Sequence, residues 1–164
     1  MKSFFAGNNI ASCFNPVDMQ TAANTGDWIS MKNHGRLVFV LFKGIGTAGD
    51  DPIFKLQQGQ TSAGTNAKDL LFTTIFKKVG VLTAIGQFTK VTQAAATSYV
   101  DTDSAEAATI MAVEVLAEQL DSDGGFDHVQ LSVADVGGNA QLGCAFVLAL
   151  DPRHAYEPSL SCID

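Results

Sequence analysis

Alternation of hydrophobic and polar positions predicts strand after strand from residue 28 onward. Six apolar residues run together at 37–42, which is typical of a strand covered on both faces. Further β-prone segments are found at 53–58, 70–79, 87–93 and 99–100. Two cleanly alternating segments at 126–136 and 141–150, joined through a Gly-Gly-Asn turn, predict a hairpin.

Large and small side chains alternate along the last of these segments. We expect the larger set to point inward: Leu142, Cys144, Phe146, Leu148 and Leu150. The outward set is then small and apolar: Gly143, Ala145, Val147 and Ala149. An apolar outward face indicates that this strand is covered on both sides.

The segment 104–120 combines good helix formers with a strand-like alternation at Met111, Val113 and Val115. We interpret it as a strand over 108–116, followed by a helical turn at 118–120. About eight strands and at most one short helix predict an all-β fold. We expect an antiparallel β-sandwich, jelly-roll-like, because eight-stranded jelly rolls satisfy this pattern.

The first 27 residues show no sustained hydrophobic period, which predicts an extended N-terminal arm. The chain is therefore divided into an arm at 1–27, a β-sandwich domain at 28–155 and a C-terminal tail at 156–164. A frayed terminus would leave Phe4, Phe5, Ile10 and Phe14 exposed. We therefore favour an arm whose four apolar residues bind a partner molecule over a frayed end.

Composition and charge exclude several classes of protein. Hydrophobic residues make up 46 % of the chain and charged residues 16 %, which excludes a disordered chain. The net charge of −7 argues against nucleic-acid binding, which needs a basic patch. No apolar run is long enough to span a membrane, and the N-terminus does not resemble an export signal. Few surface charges also indicate contacts with other subunits.

Residues that carry chemistry are scattered. His34, His128 and His154 stand apart and are expected to be lone surface histidines, so no catalytic residue is predicted. A GxGxxG match at 44–49 is followed by Asp-Asp-Pro and not by a helix, which favours an ordinary loop. Three cysteines form no metal motif, and a bridge between Cys13 and Cys162 stays open. No cofactor is predicted.

The acidic segment 121–127 is the most suggestive local cluster. Asp121, Asp123 and Asp127 alternate with small residues and could supply oxygen ligands to Ca²⁺. A full EF-hand loop is excluded because no Glu closes it. Asp and Gly are also favoured in strand-connecting turns. We favour the turn and keep the three aspartates as weak metal candidates.

Three phrases of the sequence resemble small virion proteins of tailed bacteriophages. They are Thr-Gly-Asp-Trp-Ile-Ser-Met-Lys-Asn-His-Gly at 25–35, Leu-Asp-Ser-Asp-Gly-Gly-Phe-Asp-His-Val at 120–129 and Leu-Asp-Pro-Arg-His-Ala at 150–155. The resemblance spans roughly residues 20 to 155 and is one of layout and short phrases, without a catalytic signature.

This resemblance implies a non-enzymatic capsid component. Proteins that resemble capsid cement or decoration proteins have jelly-roll-like sandwiches that bridge major capsid subunits on the outside of the shell. The expected partners are the major capsid protein and further copies of this chain. The expected location is the capsid exterior, after production in the host cytoplasm.

Other functions stay open at this stage. One alternative is another head–tail structural component. A carbohydrate-binding, lectin-like sandwich would need exposed aromatic rings, for which Trp28 and Tyr99 are the candidates. A hydrolase on a sandwich would need His128 or His154 to meet a carboxylate in a cleft.

Overall fold

The computed structural model describes residues 3–80, 82, 87–102, 107–154 and 161–163. Twelve strands form within this part of the chain: β1 (Asn9–Asp18), β2 (Asn24–Thr25), β3 (Ile29–Ser30), β4 (His34–Lys43), β5 (Ile53–Gly59), β6 (Lys68–Asp69), β7 (Phe72–Val79), β8 (Thr89–Ala96), β9 (Ser98–Val100), β10 (Thr109–Leu116), β11 (His128–Val133) and β12 (Leu142–Pro152). A 3₁₀ turn at Ala117–Gln119 follows β10. The predicted strand 108–116 with its helical turn is confirmed, within a residue or two at each end.

The strands form two antiparallel six-stranded sheets, so the predicted all-β sandwich is confirmed. Sheet A has the order β1-β12-β4-β10-β7-β8. Sheet B has β2-β11-β5-β6, with β3 beside β11 and β9 beside β5. The core lies between the sheets and includes Leu37 and Phe39 of β4, Phe54 of β5 and Leu131 of β11, all fully buried.

The predicted hairpin of the last two long strands is wrong. β11 pairs with β5 in sheet B, whereas β12 pairs with β1 and β4 in sheet A. The connection therefore crosses the sandwich, and Asn139 in it donates two hydrogen bonds to Asp50 Oδ2 at 2.9 and 2.8 Å. Alternation shows which side chains share a face, but it does not show to which sheet a strand belongs.

The predicted orientation of β12 is also wrong. The small set, Gly143, Ala145, Val147 and Ala149, is buried against the core, and the large set lies on the outer face. The reason is local packing, because Met19 is fully buried beside β12. A Cβ added at Gly143 would lie 2.7 Å from Met19 Cε, so this position has no room for a side chain.

The predicted boundary of the N-terminal arm is wrong as well. Within 1–27, β1 is an edge strand of sheet A and β2 belongs to sheet B, so only the residues before Asn9 precede the first strand. The sandwich therefore begins well before residue 28. Of the predicted tail 156–164, residues 156–160 and 164 lie outside the described residues, and Cys162 is buried in the core. Its carbonyl accepts a hydrogen bond from Ser30 N at 2.8 Å.

Candidate functional site

The outer face of sheet A is a continuous apolar surface. Cross-strand register places side chains from three neighbouring strands side by side, in rows such as Phe146, Val40 and Ala112. We call these residues the apolar face: Val38, Val40 and Phe42 of β4; Cys144, Phe146, Leu148 and Leu150 of β12; Ile110, Ala112 and Leu116 of β10; with Ile10, Leu142 and Phe76 at its margins.

Solvent reaches this face, since Phe42 is 44 % exposed and Leu142 is 65 % exposed. At the end of the face that these two residues occupy, a groove of about 480 Å³ runs between β1, β4 and β12. Val17 and Cys144 line it together with Phe42 and Leu142. Contiguous exposed apolar area of this kind marks a surface that binds another molecule.

The charges on the same side of the sheet lie at its side margins and towards one end of β4 and β10, where Glu114 is level with Val38. Arg36 forms a double ion pair at one end of β4, with Nη1 2.9 Å from Glu114 Oε1 and Nη2 3.2 Å from Asp151 Oδ1. The hydrogen bond to Glu114 is the main cause that raises the pKa of Arg36. The centre of the face therefore carries apolar side chains, and its charged end is internally paired.

The four predicted partner-binding residues do not form one surface. Phe4 and Phe5 lie before β1, about half exposed, with ring centroids 5.1 Å apart in an edge-to-face pair. Ile10 lies on β1 opposite Leu148 and belongs to the apolar face. Phe14 packs against the core, which removes it as a free contact residue.

The two aromatic candidates for sugar stacking are both engaged. A Cβ added at Gly59 or Gly64 would come within 2.8 or 2.4 Å of the Trp28 indole, so these glycines cover the ring. Tyr99 is half buried, and its hydroxyl accepts a hydrogen bond from Lys77 Nζ at 3.3 Å. Both rings are therefore partly covered, which leaves less open ring area for a sugar to stack on.

The aspartates of the acidic segment point to different partners. Asp121 pairs with Lys68 and accepts a hydrogen bond from Gly124 N, and the lysine is the main cause that lowers the pKa of Asp121. Asp127 Oδ1 lies 2.5 Å from His128 Nδ1. Among the described residues, which include this whole segment, no group of three His, Cys, Asp or Glu side chains is placed to hold a metal. Asp121, Asp123 and Asp127 therefore form no common site.

The prediction of surface histidines is wrong for two of the three. His34 and His128 are 2 % and 1 % exposed, whereas His154 is exposed. Neither ring nitrogen of His34 has a hydrogen-bond partner, and burial lowers its pKa below the ordinary value. Alternation placed His128 outside because Gln130 and Ser132 share its side of β11, but the strand end where it lies is covered.

A buried charged cluster is the feature that sequence reasoning missed. Asp101 is fully buried, with Lys77 Nζ 2.6 Å from Oδ1 and Lys43 Nζ 3.3 Å from Oδ2. The cluster links β4, β7 and the residue after β9. A signal was present, because Lys43 continues the inward series of Leu37, Phe39 and Leu41.

The cysteines differ in environment. The structure has three free thiols, of which Cys13 and Cys162 are buried and Cys144 lies half buried on the apolar face. Burial, followed by Asp27 and Cys162, raises the pKa of Cys13 to about 12. Burial also raises the pKa of Cys144. The only cysteine with solvent access is therefore the one on the apolar face.

Comparisons with protein-family models, with curated proteins and with solved structures found no significant match to this chain. Among the described residues, no helix is long and apolar enough to cross a membrane.

Proposed function

We propose that this chain is a non-enzymatic structural protein of a phage virion, and that it binds and stabilises the capsid shell as a cement protein. The observation that carries the proposal is the apolar face, where residues such as Phe42 and Leu142 stay exposed in the isolated chain. A surface of this kind is stable in water only at a cost, which contact with another protein chain removes.

Two separate apolar surfaces support the proposal. The Phe4–Phe5 pair precedes the sandwich and is exposed, so it is available to a neighbouring shell subunit. The apolar face lies on the outer side of sheet A itself, and faces of this kind form sheet-to-sheet contacts. A protein with two such surfaces can join two neighbours, which is what stabilising a shell requires.

The test is binding to empty shells that lack this protein, measured by co-sedimentation. Replacing both rings, Phe4→Ser with Phe5→Ser, should weaken binding at least about 10-fold, because two half-exposed aromatic contacts are lost. Leu71→Ser is the matched control, since Leu71 is 55 % exposed but lies outside both surfaces. Unchanged shell binding by the double variant would contradict the role of the N-terminal residues.

A second measurement addresses the shell itself. Shells saturated with this protein should rupture at a higher temperature than bare shells, because a ligand that binds only the intact state stabilises it. Equal rupture temperatures would contradict a cement role even where binding is observed. A tail or head–tail component would bind assembled tails or connectors and not shells.

A further inference from the structure

The strands in the middle of sheet A are built to be covered on both sides. β4 buries Leu37, Phe39 and Leu41 against sheet B, and its other side carries Val38, Phe42 and the largely buried Val40. β12 likewise has apolar residues on both faces. Strands of this composition lie between two layers. Sheet B supplies one layer, and the apolar face is where the second layer belongs.

A flat sheet face is the natural cover for another flat sheet face, since stacked sheets pack about 10 Å apart with nearly aligned strands. The outer face of sheet B is unsuitable, because it carries polar residues such as Lys55, Gln57 and Gln130. We propose that the apolar face binds the same face of a second copy of this chain about a two-fold axis. The resulting dimer has four layers, in the order B, A, A and B.

The size of the face fits such a contact. The outer side of five strands, β1, β12, β4, β10 and β7, has about four outward positions on each strand and covers roughly 650 Å² of flat footprint, of which the apolar face makes up about two-thirds. A standard interface buries about 800 Å² of accessible surface on each partner. Accessible surface over protruding side chains exceeds the flat footprint, so the apolar face together with its polar margins is large enough for a stable dimer.

The charges at the two side margins of the sheet are complementary. Lys78 lies on the β7 margin, beside Ile110 and level with Phe42. Asp18 lies on the β1 margin opposite Leu142, near the same end of the sheet. A two-fold axis parallel to the strands places the β7 margin of one copy over the β1 margin of the other. Opposite charges then lie near each other at both edges of the contact, which favours this pairing. Lys78 Nζ also donates a hydrogen bond to Leu82 O, and Asp18 Oδ1 accepts one from Gln141 N, so the attraction adds to contacts within each copy.

The dimer proposal rests on one part of the proposed function, namely that the apolar face contacts another protein chain. It does not require that the chain binds a shell. It is tested on the purified full chain by sedimentation velocity from about 1 μM to about 200 μM, the range over which dimers of ordinary affinity dissociate. The expected result is a reversible monomer–dimer equilibrium. A monomer throughout this range, or a larger oligomer without a dimer, would overturn the proposal.

Variants locate the contact. Phe42→Glu and Leu142→Glu each place a charge in the face and should raise the dimer dissociation constant at least about 100-fold. Leu71→Glu adds the same charge at an exposed leucine outside the face and should leave the constant unchanged. Circular dichroism checks that each variant is folded, and Phe42→Ser gives an uncharged second version. A dimer that all of these variants leave intact would contradict the assignment to this face.

The thiol of Cys144 provides an independent measurement, since it lies in the face beside Phe42. Its reaction with a maleimide should slow as the protein concentration rises through the dimer range, and Phe42→Glu should abolish that dependence. A rate that is the same at every concentration in the wild type would overturn the proposal. If the chain is monomeric and Leu142→Glu abolishes shell binding, the apolar face binds the shell protein and the dimer proposal is wrong. A dimer that does not bind shells supports the dimer proposal and contradicts the cement function.

Discussion

On the outer face of sheet B, polar side chains satisfy each other: Lys55 Nζ lies 2.9 Å from Asp69 Oδ1, and Gln57 Nε2 donates to the same oxygen at 3.1 Å. On the outer face of sheet A, the corresponding positions of β4 and β12 carry Val38, Val40 and Phe146. Both faces belong to sheets whose inner sides are equally buried. The fold therefore requires only the inner faces to be apolar, and the outer face of sheet A needs a reason outside the fold of one chain.

This difference separates the residues that stabilise the sandwich from the residues that are exposed for contact with a partner. If the apolar face serves a partner, polar substitutions on it should affect association far more than the stability of the monomer. If it is part of the fold, the same substitutions should unfold the chain. Three predictions compare the effect on stability of a substitution at a buried residue with that of a substitution at an exposed residue.

The largest effect is expected at the buried cluster of Lys43, Lys77 and Asp101. Asp101→Asn removes the carboxylate charge and leaves two buried lysines without it, which should lower the free energy of unfolding by about 3–5 kcal/mol. Urea denaturation followed by circular dichroism measures this change. The control is Asp69→Asn on the outer face of sheet B, which breaks an exposed ion pair and should cost less than about 1 kcal/mol. Equal costs would mean that the buried cluster does not stabilise the sandwich.

A smaller effect is expected within β12, whose two faces allow a matched comparison. Val147 is fully buried, and Val147→Ala should cost about 2 kcal/mol through two lost methyl groups and the space they leave. Leu142→Ala on the outer face should change the free energy of unfolding by less than about 0.5 kcal/mol, because the side chain is already exposed. Both are measured at low concentration, where association does not contribute. A larger loss for Leu142→Ala than for Val147→Ala would place the apolar face in the fold itself.

The sequence predicted the strands well and their arrangement less well, for physical reasons. Alternation located the strand 108–116 because a period of two is a property of the strand alone. It assigned the wrong side of β12 to the core, because both sides are apolar and the choice depends on Met19 filling the space beside Gly143. It missed the pairing of Asp101 with Lys43 and Lys77, since alternation places Lys43 on the inner side of β4 but does not show which distant residue it contacts. The apolar face itself was foreseen only as an expectation that β12 and the strand at 37–42 are covered on both sides.

The smallest effect is expected at His34, at the start of β4, the strand that contributes residues both to the core and to the apolar face. His34 is buried with both ring nitrogens unpartnered, and this burial lowers its pKa in the folded state. The unfolded chain therefore takes up the proton first, at its ordinary pKa of about 6.5. The stability that His34 contributes is present above that pH and is lost as the pH falls from about 6.5 towards the folded pKa. Thermal unfolding between about pH 8 and pH 5 should show this fall in the wild type.

The comparison with His34→Leu isolates this contribution from other groups that titrate in the same range. The variant should lose part of the acid dependence, since residue 34 then binds no proton in either state. His154→Gln, at an exposed histidine, is the matched control. An acid dependence that is identical in wild type and His34→Leu would show that His34 is protonated equally in the folded and unfolded chains.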